Sequence, residues 1–248
     1  MKKKTAKNVV YYVLLAVFLG IFLFSGYKIY SYYADKKAST DLNEEIARVY
    51  TIRKTAEAKE YFEVNFEQLR LQNGDAVAWI YSPGTVINYP VLQHEDNAYY
   101  LTRQIDGTYN SNGSIFMDCR SAPDFTDRNT IIYGHHMRSG NMFASLVNYK
   151  KSGFYEGHDH MYIMTPQVTY RVDLLCGTVV EPDDPIYSSE PTQDAIVSCM
   201  NRSTFRSSVA LPAEDARIVT LSTCSYEFKD ARYVVLGVLT PIEETVKN

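Results

Sequence analysis

The hydrophobic pattern begins with a run long enough to cross a membrane. Residues 9–27 form 19 consecutive uncharged positions, rich in valine, leucine, phenylalanine and tyrosine. Because roughly 20 apolar residues span a bilayer as a helix, this run predicts a transmembrane anchor. Four lysines precede it, so the positive-inside rule places residues 1–8 in the cytoplasm and the rest of the chain outside the cell.

A cleavable signal peptide is the competing interpretation of this run. Signal peptides have a shorter apolar region, which is followed by a small-x-small cleavage site. Here Gly26 is followed by Tyr27, Lys28, Ile29 and Tyr30, which make a poor site. The pattern therefore favours an uncleaved anchor over residues 9–27.

Residues 28–75 are predicted to form a helical stalk. Apolar residues recur there at helical spacing in two groups, Leu42, Ile46, Val49 and Tyr50, then Phe62, Phe66 and Leu69. Gly74 is a suitable end for the second group. We interpret the segment as one or two amphipathic helices packed on the following domain. A coiled coil for a partner is less favoured, because the pattern is short.

From residue 76 the pattern changes to short strands separated by turns, and residues 76–248 are predicted to form one catalytic domain. The expected strands cover 77–81, 86–92, 114–117, 129–133, 161–165, 168–180, 218–221 and 232–239. A helix is expected over residues 192–205, before the last two strands. Many short strands with few helices are typical of a closed or nearly closed β-barrel. The predicted fold class is therefore mainly β (α+β).

Charge is divided unevenly between the two parts of the chain. Residues 1–37 carry a net charge of +6, whereas the remainder carries −10. Nucleic-acid binding needs a basic surface, so an acidic outer domain argues against nucleic acid as a partner. Membrane attachment is expected from the N-terminal helix and its lysines alone.

The four cysteines are widely spaced and show no zinc pattern. Cys176 and Cys199 fall on buried faces of a strand and a helix, where a small apolar role is expected. A disulfide among Cys119, Cys176 and Cys199 stays open, but three free thiols are favoured. The His158–His160 segment and the other polar loops show no metal-ligand set, so no metal and no cofactor is expected.

Candidate nucleophilic chemistry lies around the last two strands. Cys224 ends one strand and Arg232 opens the next, so a thiol and a guanidinium are expected at facing strand ends. An arginine stabilises a thiolate, or the oxyanion formed when the thiolate attacks a carbonyl. His135 supplies an imidazole that can take the thiol proton and return it to a leaving amine. Taken singly, each residue type is more often structural, so this chemistry alone leaves cysteine-dependent acyl transfer as a hypothesis.

The motifs around these residues resemble those of sortases, and those of class B in particular. Residues 220–224 (TLSTC) are similar to the sortase TLxTC signature, and residues 133–135 (YGH) resemble the histidine motif. Similar segments also occur at 88–93 (NYPVLQ), 96–101 (DNAYYL) and 113–118 (GSIFMD). His136 departs from the pattern, in which asparagine follows the histidine; we assign the catalytic role to His135.

This resemblance implies an eight-stranded sortase-type β-barrel and a membrane-anchored cysteine transpeptidase of Gram-positive bacteria. It implies that Cys224 cleaves the C-terminal sorting motif of an exported protein after threonine and holds the acyl group as a thioester. An amine of peptidoglycan then accepts the acyl group, which anchors the protein to the cell wall. Class B substrates typically carry an Asn-Pro-x-Thr-type motif. Ser222 and Thr223, beside the nucleophile, are implied as substrate contacts.

Three alternatives stay open at the level of the sequence. A pilin-polymerising or pilus-anchoring sortase would use a different amine. A papain-like endopeptidase generally has its cysteine before its histidine, whereas His135 precedes Cys224 by 89 residues. A membrane-anchored adhesin or scaffold would need no catalysis at all.

Overall fold

In the computed structural model, which describes residues 2–56 and 59–242, one long helix forms the N-terminal part of the chain. This helix, α1 (Lys2–Tyr50), is long and apolar enough to cross a membrane. The large apolar side chains between Val9 and Tyr30 are all exposed. A bilayer would cover them, as the predicted anchor requires. The domain boundaries predicted at residues 8 and 27 stay predictions, since α1 runs through both without a break.

The outer end of α1 packs on the rest of the protein. Ser39 and Ile46 are buried, at 0% and 4% exposed. The Asn141 side chain donates a hydrogen bond to Thr40 Oγ1 at 2.8 Å. The outer end of α1, beyond the predicted anchor, therefore contacts the loop that follows His135.

The second half of the predicted helical stalk is partly strand. β1 (Thr51–Ala56) and β2 (Lys59–Val64) pair antiparallel as a separate two-stranded sheet, and α2 (Phe66–Gln72) follows. The prediction of helix across residues 51–64 is therefore wrong. Phe66 and Leu69 do lie in a helix, but the preceding segment begins with Thr-Ile and contains a further threonine, and β-branched residues favour strands.

The predicted barrel is confirmed, and it is closed by eight strands. Their spatial order is β10-β8-β7-β3-β4-β5-β6-β9. The strands are β3 (Ala76–Tyr81), β4 (Asn88–Leu92), β5 (Ile115–Met117), β6 (Asn129–Tyr133), β7 (His160–Met164), β8 (Thr169–Val180), β9 (Ile218–Cys224) and β10 (Arg232–Ile242). The β4–β5 and β6–β9 pairs are parallel, and the other pairs are antiparallel.

Shorter elements cover the barrel. The helix expected before the last two strands is present as α3 (Gln193–Asn201) and ends four residues earlier than predicted. Within residues 2–56 and 59–242, four 3₁₀ helices lie in the loops, at Tyr99–Leu101, Phe143–Lys150, Tyr155–Gly157 and Pro185–Tyr187. Two of them lie near the end of β9: Tyr99–Leu101 contacts His135, and Pro185–Tyr187 contacts Ser222.

Among the described residues, three apolar clusters pack the barrel, the N-terminal helices and α3 together. The barrel interior is filled by side chains such as Ile80, Ile132 and Leu221. A second cluster, which includes Ile46 and the single tryptophan, Trp79, joins the N-terminal helices to the outside of the barrel. A third lies under α3. Because every strand of the barrel contributes to at least one buried face, the registers of these strands are fixed by burial.

All four cysteines are free thiols, as the sequence favours. Cys176 and Cys199 lie in the cluster under α3. Burial raises the pKa of both, in the case of Cys199 to about 11. A thiol that stays protonated is a poor nucleophile, so neither competes with Cys224, which is partly exposed.

Asn129, at the start of β6, ties three segments together inside the protein. The residue is fully buried, and its amide group donates to the carbonyls of Ile186 at 2.8 Å and Ser188 at 2.9 Å. Its side-chain oxygen accepts from Thr220 Oγ1 at 2.9 Å. The network holds the 3₁₀ helix Pro185–Tyr187 against β6 and β9.

Replacing this amide should destabilise the fold. Each buried polar partner left unpaired costs about 1–3 kcal/mol, so Asn129→Ala is expected to lower the free energy of unfolding by about 3 kcal/mol. Denaturant unfolding followed by Trp79 fluorescence measures it. Asn201→Ala, at the exposed end of α3, is the matched control and should change stability by less than about 0.5 kcal/mol. Equal stability of the two variants would contradict this role of Asn129.

Candidate active site

Two neighbouring strand ends bring the predicted nucleophile and the predicted arginine together. Arg232, the first residue of β10, is the direct cross-strand partner of Cys224, the last residue of β9. Directly opposed residues of an antiparallel pair project from the same face, with Cβ atoms about 4.5–5.5 Å apart. The expectation that thiol and guanidinium occupy facing strand ends is therefore confirmed.

His135 reaches the same rim from the other side of β9. β6 runs parallel to β9 with Tyr133 paired to Ser222, and the Gly134 amide donates to the Ser222 carbonyl at 3.1 Å. β6 ends at Tyr133, and extending its register by two residues would set His135 level with Cys224; the next residue, His136, contacts the Cys224 carbonyl. All three predicted catalytic residues therefore lie around one point of the barrel rim.

His135 and His136 donate hydrogen bonds to different backbone carbonyl groups. His135 Nε2 donates to the Leu101 carbonyl, and His136 Nδ1 donates to the Cys224 carbonyl, both at 2.8 Å. A carbonyl only accepts, so these ring nitrogens carry the protons. His136 thus contacts the backbone of Cys224, whereas Nδ1 is the ring nitrogen of His135 that this hydrogen bond leaves able to exchange a proton.

The 3₁₀ helix Tyr99–Leu101, whose last carbonyl accepts the hydrogen bond from His135, is positioned by residues of the sortase-like segments 96–101 and 113–118. Asp96 Oδ1 caps it by accepting from the amides of Ala98 at 2.7 Å and Tyr99 at 2.8 Å. Gly113 packs against it with φ of +58°, and a Cβ there would lie 2.7 Å from the Leu101 carbonyl oxygen. Only glycine allows both this backbone conformation and this approach.

Gly134 is required for a similar reason. A Cβ at this position would lie 2.7 Å from Phe143 Cγ, inside the barrel. A larger residue would push the segment outward and displace His135. The glycine of the YGH motif therefore lets the histidine follow directly on a buried strand.

Arg232 and Tyr187 shape the electrostatics on the β10 side. Arg232 Nη1 donates to the carbonyls of Asp230 at 3.0 Å and Ala231 at 3.2 Å, and the guanidinium also carries donors on Nε and Nη2. Burial raises the pKa of Tyr187 to about 12, although a hydrogen bond with Ser222 and the positive charge of Arg232 act to lower it. The Tyr187 hydroxyl therefore stays protonated beside Ser222, 2.8 Å from Ser222 Oγ.

Ser222 and Thr223 both use their hydroxyls within the protein. Each is 2% exposed. Ser222 Oγ shares a hydrogen bond with Tyr187, and Thr223 Oγ1 donates to the Gly134 carbonyl at 2.8 Å. Thr223 thereby joins the end of β9 to the segment that carries His135. Their role as substrate contacts stays a prediction.

Comparison with known proteins fits this arrangement. The sortase domain model matches residues 80–240. Sortase B of Listeria monocytogenes is 35% identical over 237 residues, which cover 91% of this chain and 95% of that protein. Sortase B of Staphylococcus aureus is 32% identical, with 91% and 93% covered.

The chain belongs to the sortase family, class B.

Solved class B sortases share the fold. Sortase B from Bacillus anthracis, solved in complex with AAEK1, aligns with a TM-score of 0.71 and 27% identity over 85% of this chain and all of that one. The Staphylococcus aureus sortase B–substrate complex aligns with a TM-score of 0.67 and 32% identity, covering 72% and 85%. The family assigns the chain a transpeptidase activity. Among the described residues, no cluster of three or more His, Cys, Asp or Glu side chains could hold a metal ion.

A charged cluster that the sequence did not indicate lies directly after Cys224. Lys150, the last residue of the 3₁₀ helix Phe143–Lys150, forms an ion pair with Glu227 and donates to Ser225 Oγ at 2.7 Å. Ser225 Oγ in turn donates to Glu227 Oε2 at 2.5 Å. We call these three residues the β9–β10 clasp. It fastens the loop after Cys224 to the helix that follows the His135 loop.

Glu227 in this clasp is ionised at neutral pH. Partial burial raises the pKa of Glu227, but hydrogen bonds from Lys150 and Ser225 outweigh it and lower that pKa to about 2. The Lys150 ammonium also lies 4.6 Å from the centroid of the Tyr233 ring. A group with a depressed folded pKa stabilises above its unfolded pKa, near 4.3, and loses this contribution as pH falls towards about 2.

Glu227→Gln should therefore lower stability at neutral pH, because the variant keeps the shape of the side chain but loses the charge. The difference from the wild type should be constant above about pH 5 and should disappear as the pH approaches 2. Thermal unfolding across this range measures it. Glu214→Gln, on an exposed loop, is the control. A difference between Glu227→Gln and wild type that does not change with pH would show that the charge is not what holds the loop.

Proposed function

We propose that the chain is a membrane-anchored cysteine transpeptidase that attaches exported proteins to the cell wall. The supporting observation is the pairing of β9 with its two neighbours. Arg232 on β10 lies opposite Cys224, and β6, which leads to His135, runs along the other side of β9. Covalent acyl transfer needs a nucleophile, a proton carrier and a donor for the developing oxyanion. The three residues supply one of each.

In the first half-reaction, the Cys224 thiolate attacks the carbonyl carbon of the threonine in the sorting motif. The carbonyl oxygen becomes an oxyanion, which the Arg232 guanidinium stabilises by about 3 kcal/mol if it acts as a typical oxyanion donor. The C–N bond then breaks, and His135 gives its proton to the leaving amine. The products are a thioester on Cys224 and the released C-terminal fragment.

In the second half-reaction, a neutral amine of peptidoglycan attacks the thioester carbonyl. His135 takes a proton from this amine, the C–S bond breaks, and Cys224 leaves as a thiolate. The new amide bond replaces the one that was cleaved. The thioester conserves the energy of the peptide bond, so no nucleotide is needed.

The membrane anchor fits this role. With residues 1–8 in the cytoplasm and residues 9–27 in the bilayer, the barrel lies outside, where sorting signals and peptidoglycan are present. One solved neighbour was obtained as a sortase B–substrate complex. Another, Spy0129 of Streptococcus pyogenes, is a class B sortase involved in pilus biogenesis and is 28% identical, so pilus assembly remains the second candidate.

The choice of amine separates these outcomes. The full chain in detergent micelles is incubated with a fluorogenic Asn-Pro-x-Thr peptide and with amine acceptors, and the products are analysed by mass. A product that carries the amine is expected. A product without amine under every acceptor would remove the transpeptidase proposal. Preference for a pilin lysine over peptidoglycan amines would favour the second candidate.

Variants test the assigned roles. Cys224→Ala should abolish cleavage and leave unfolding unchanged, whereas Cys119→Ala, at the other partly exposed thiol, should keep full activity. Arg232→Lys keeps the charge but loses the planar fork of donors, so kcat should fall roughly 100-fold. Normal turnover by Arg232→Lys would refute the oxyanion role. A Cys224→Ala protein that retains its cellular function would favour an adhesin or scaffold.

A further inference from the structure

A cavity of about 600 Å³ opens directly beside the histidine loop. One wall is the β3–β4 turn, and another is the segment from His136 to Gly140. The 3₁₀ helix Phe143–Lys150 contributes Ser145 to the lining. His136 also donates to the Cys224 carbonyl, so a single imidazole ring separates this cavity from the backbone of the nucleophile.

The chemistry of the second half-reaction directs the acceptor to this side. The group that takes the amine proton must be within hydrogen-bond reach of the attacking nitrogen. Arg232 lies on the β10 side of Cys224, and the histidines lie on the β6 side. An acceptor amine that meets the base must therefore come over the β6 side, where the cavity lies.

The lining selects the kind of group that can occupy the cavity. Among the described residues that line it, Arg138 is the one side chain with a permanent charge and none is a carboxylate. Ser145 is 8% exposed, and its hydroxyl has no hydrogen-bond partner among the described residues. A buried hydroxyl without a partner is costly, so a ligand that pairs with it is favoured. Cation and hydroxyl together match an anionic acceptor group.

We propose that this cavity binds a carboxylate of the acceptor peptide, with Arg138 and Ser145 as specificity-determining residues. The proposal rests on the proposed transpeptidase function. It assigns the acceptor as a peptide that carries a free amine and, a few residues away, a carboxylate. Three extended residues span roughly 10 Å, enough for the amine to meet the thioester while the carboxylate enters the cavity.

Triglycine and its C-terminal amide are the probes, because they differ only in the carboxylate. They are compared as acceptors for the full chain in detergent micelles, at a pH where both amines are neutral. The KM of triglycine is expected to be roughly two- to fivefold lower, the range of an exposed ion pair. Arg138→Gln should remove this preference, and Ser145→Ala should raise the KM of triglycine about fivefold.

Two comparisons make the result specific. Cleavage of the sorting peptide without acceptor should be unchanged in both variants, because neither residue takes part in acylation. Arg206→Gln, at an exposed arginine that lines another cavity, should keep the preference for triglycine. Equal KM values for the two acceptors in the wild type would overturn the proposal. A preference that persists in Arg138→Gln, or an equal loss of both half-reactions, would also overturn it.

A binding measurement keeps this test separate from the proposed function. If the wild type cleaves no sorting peptide, the transpeptidase proposal fails by itself. Saturation-transfer NMR with Cys224→Ala then decides about the cavity. Stronger binding of triglycine than of its amide, lost in Cys224→Ala/Arg138→Gln, supports the carboxylate site. Equal binding of the two probes overturns it.

Discussion

The pairing register of β9 is the constraint on which the whole site depends. Val219 and Leu221 point into the barrel and are completely buried. Because successive side chains of a strand point to opposite faces, Cys224 lies on the outer face of the barrel. A shift by one residue would move both apolar side chains out of the barrel core to the outer face, where Thr220 and Ser222 now lie, and would turn the thiol inward. The burial that stabilises the barrel therefore also sets the direction of the Cys224 side chain.

Both neighbours of β9 use this register. The antiparallel pairing with β10 sets Arg232 opposite Cys224, and the parallel pairing with β6 brings His135 to the same level. Residues 135, 224 and 232 thus come to one part of the rim although β7, β8, α3 and three 3₁₀ helices lie between His135 and the strand that Cys224 ends. Two loop contacts at the rim restrict these residues further. The Leu101 carbonyl accepts a hydrogen bond from His135, and the β9–β10 clasp holds the loop after Cys224.

The barrel and the meeting of Cys224 with Arg232 could be predicted from sequence, because alternating apolar residues mark strands and consecutive strands commonly pair. The two-stranded sheet at 51–64 was missed, since Phe66 and Leu69 continue a helical spacing that begins outside the helix. Tyr187, Lys150 and Glu227 carry no local signal of their role. Lys150 and Glu227 are 77 residues apart, and their contact depends on two loop conformations that no periodic pattern encodes.

The central claim is that Cys224 becomes acylated within this rim. Mass spectrometry of the full chain, quenched with acid during turnover of a sorting peptide, tests it directly. We expect a mass increase equal to the N-terminal peptide fragment, located on Cys224 and released by hydroxylamine. Cleavage of the peptide with Cys224 unmodified, or with the fragment attached to Cys119, would contradict it.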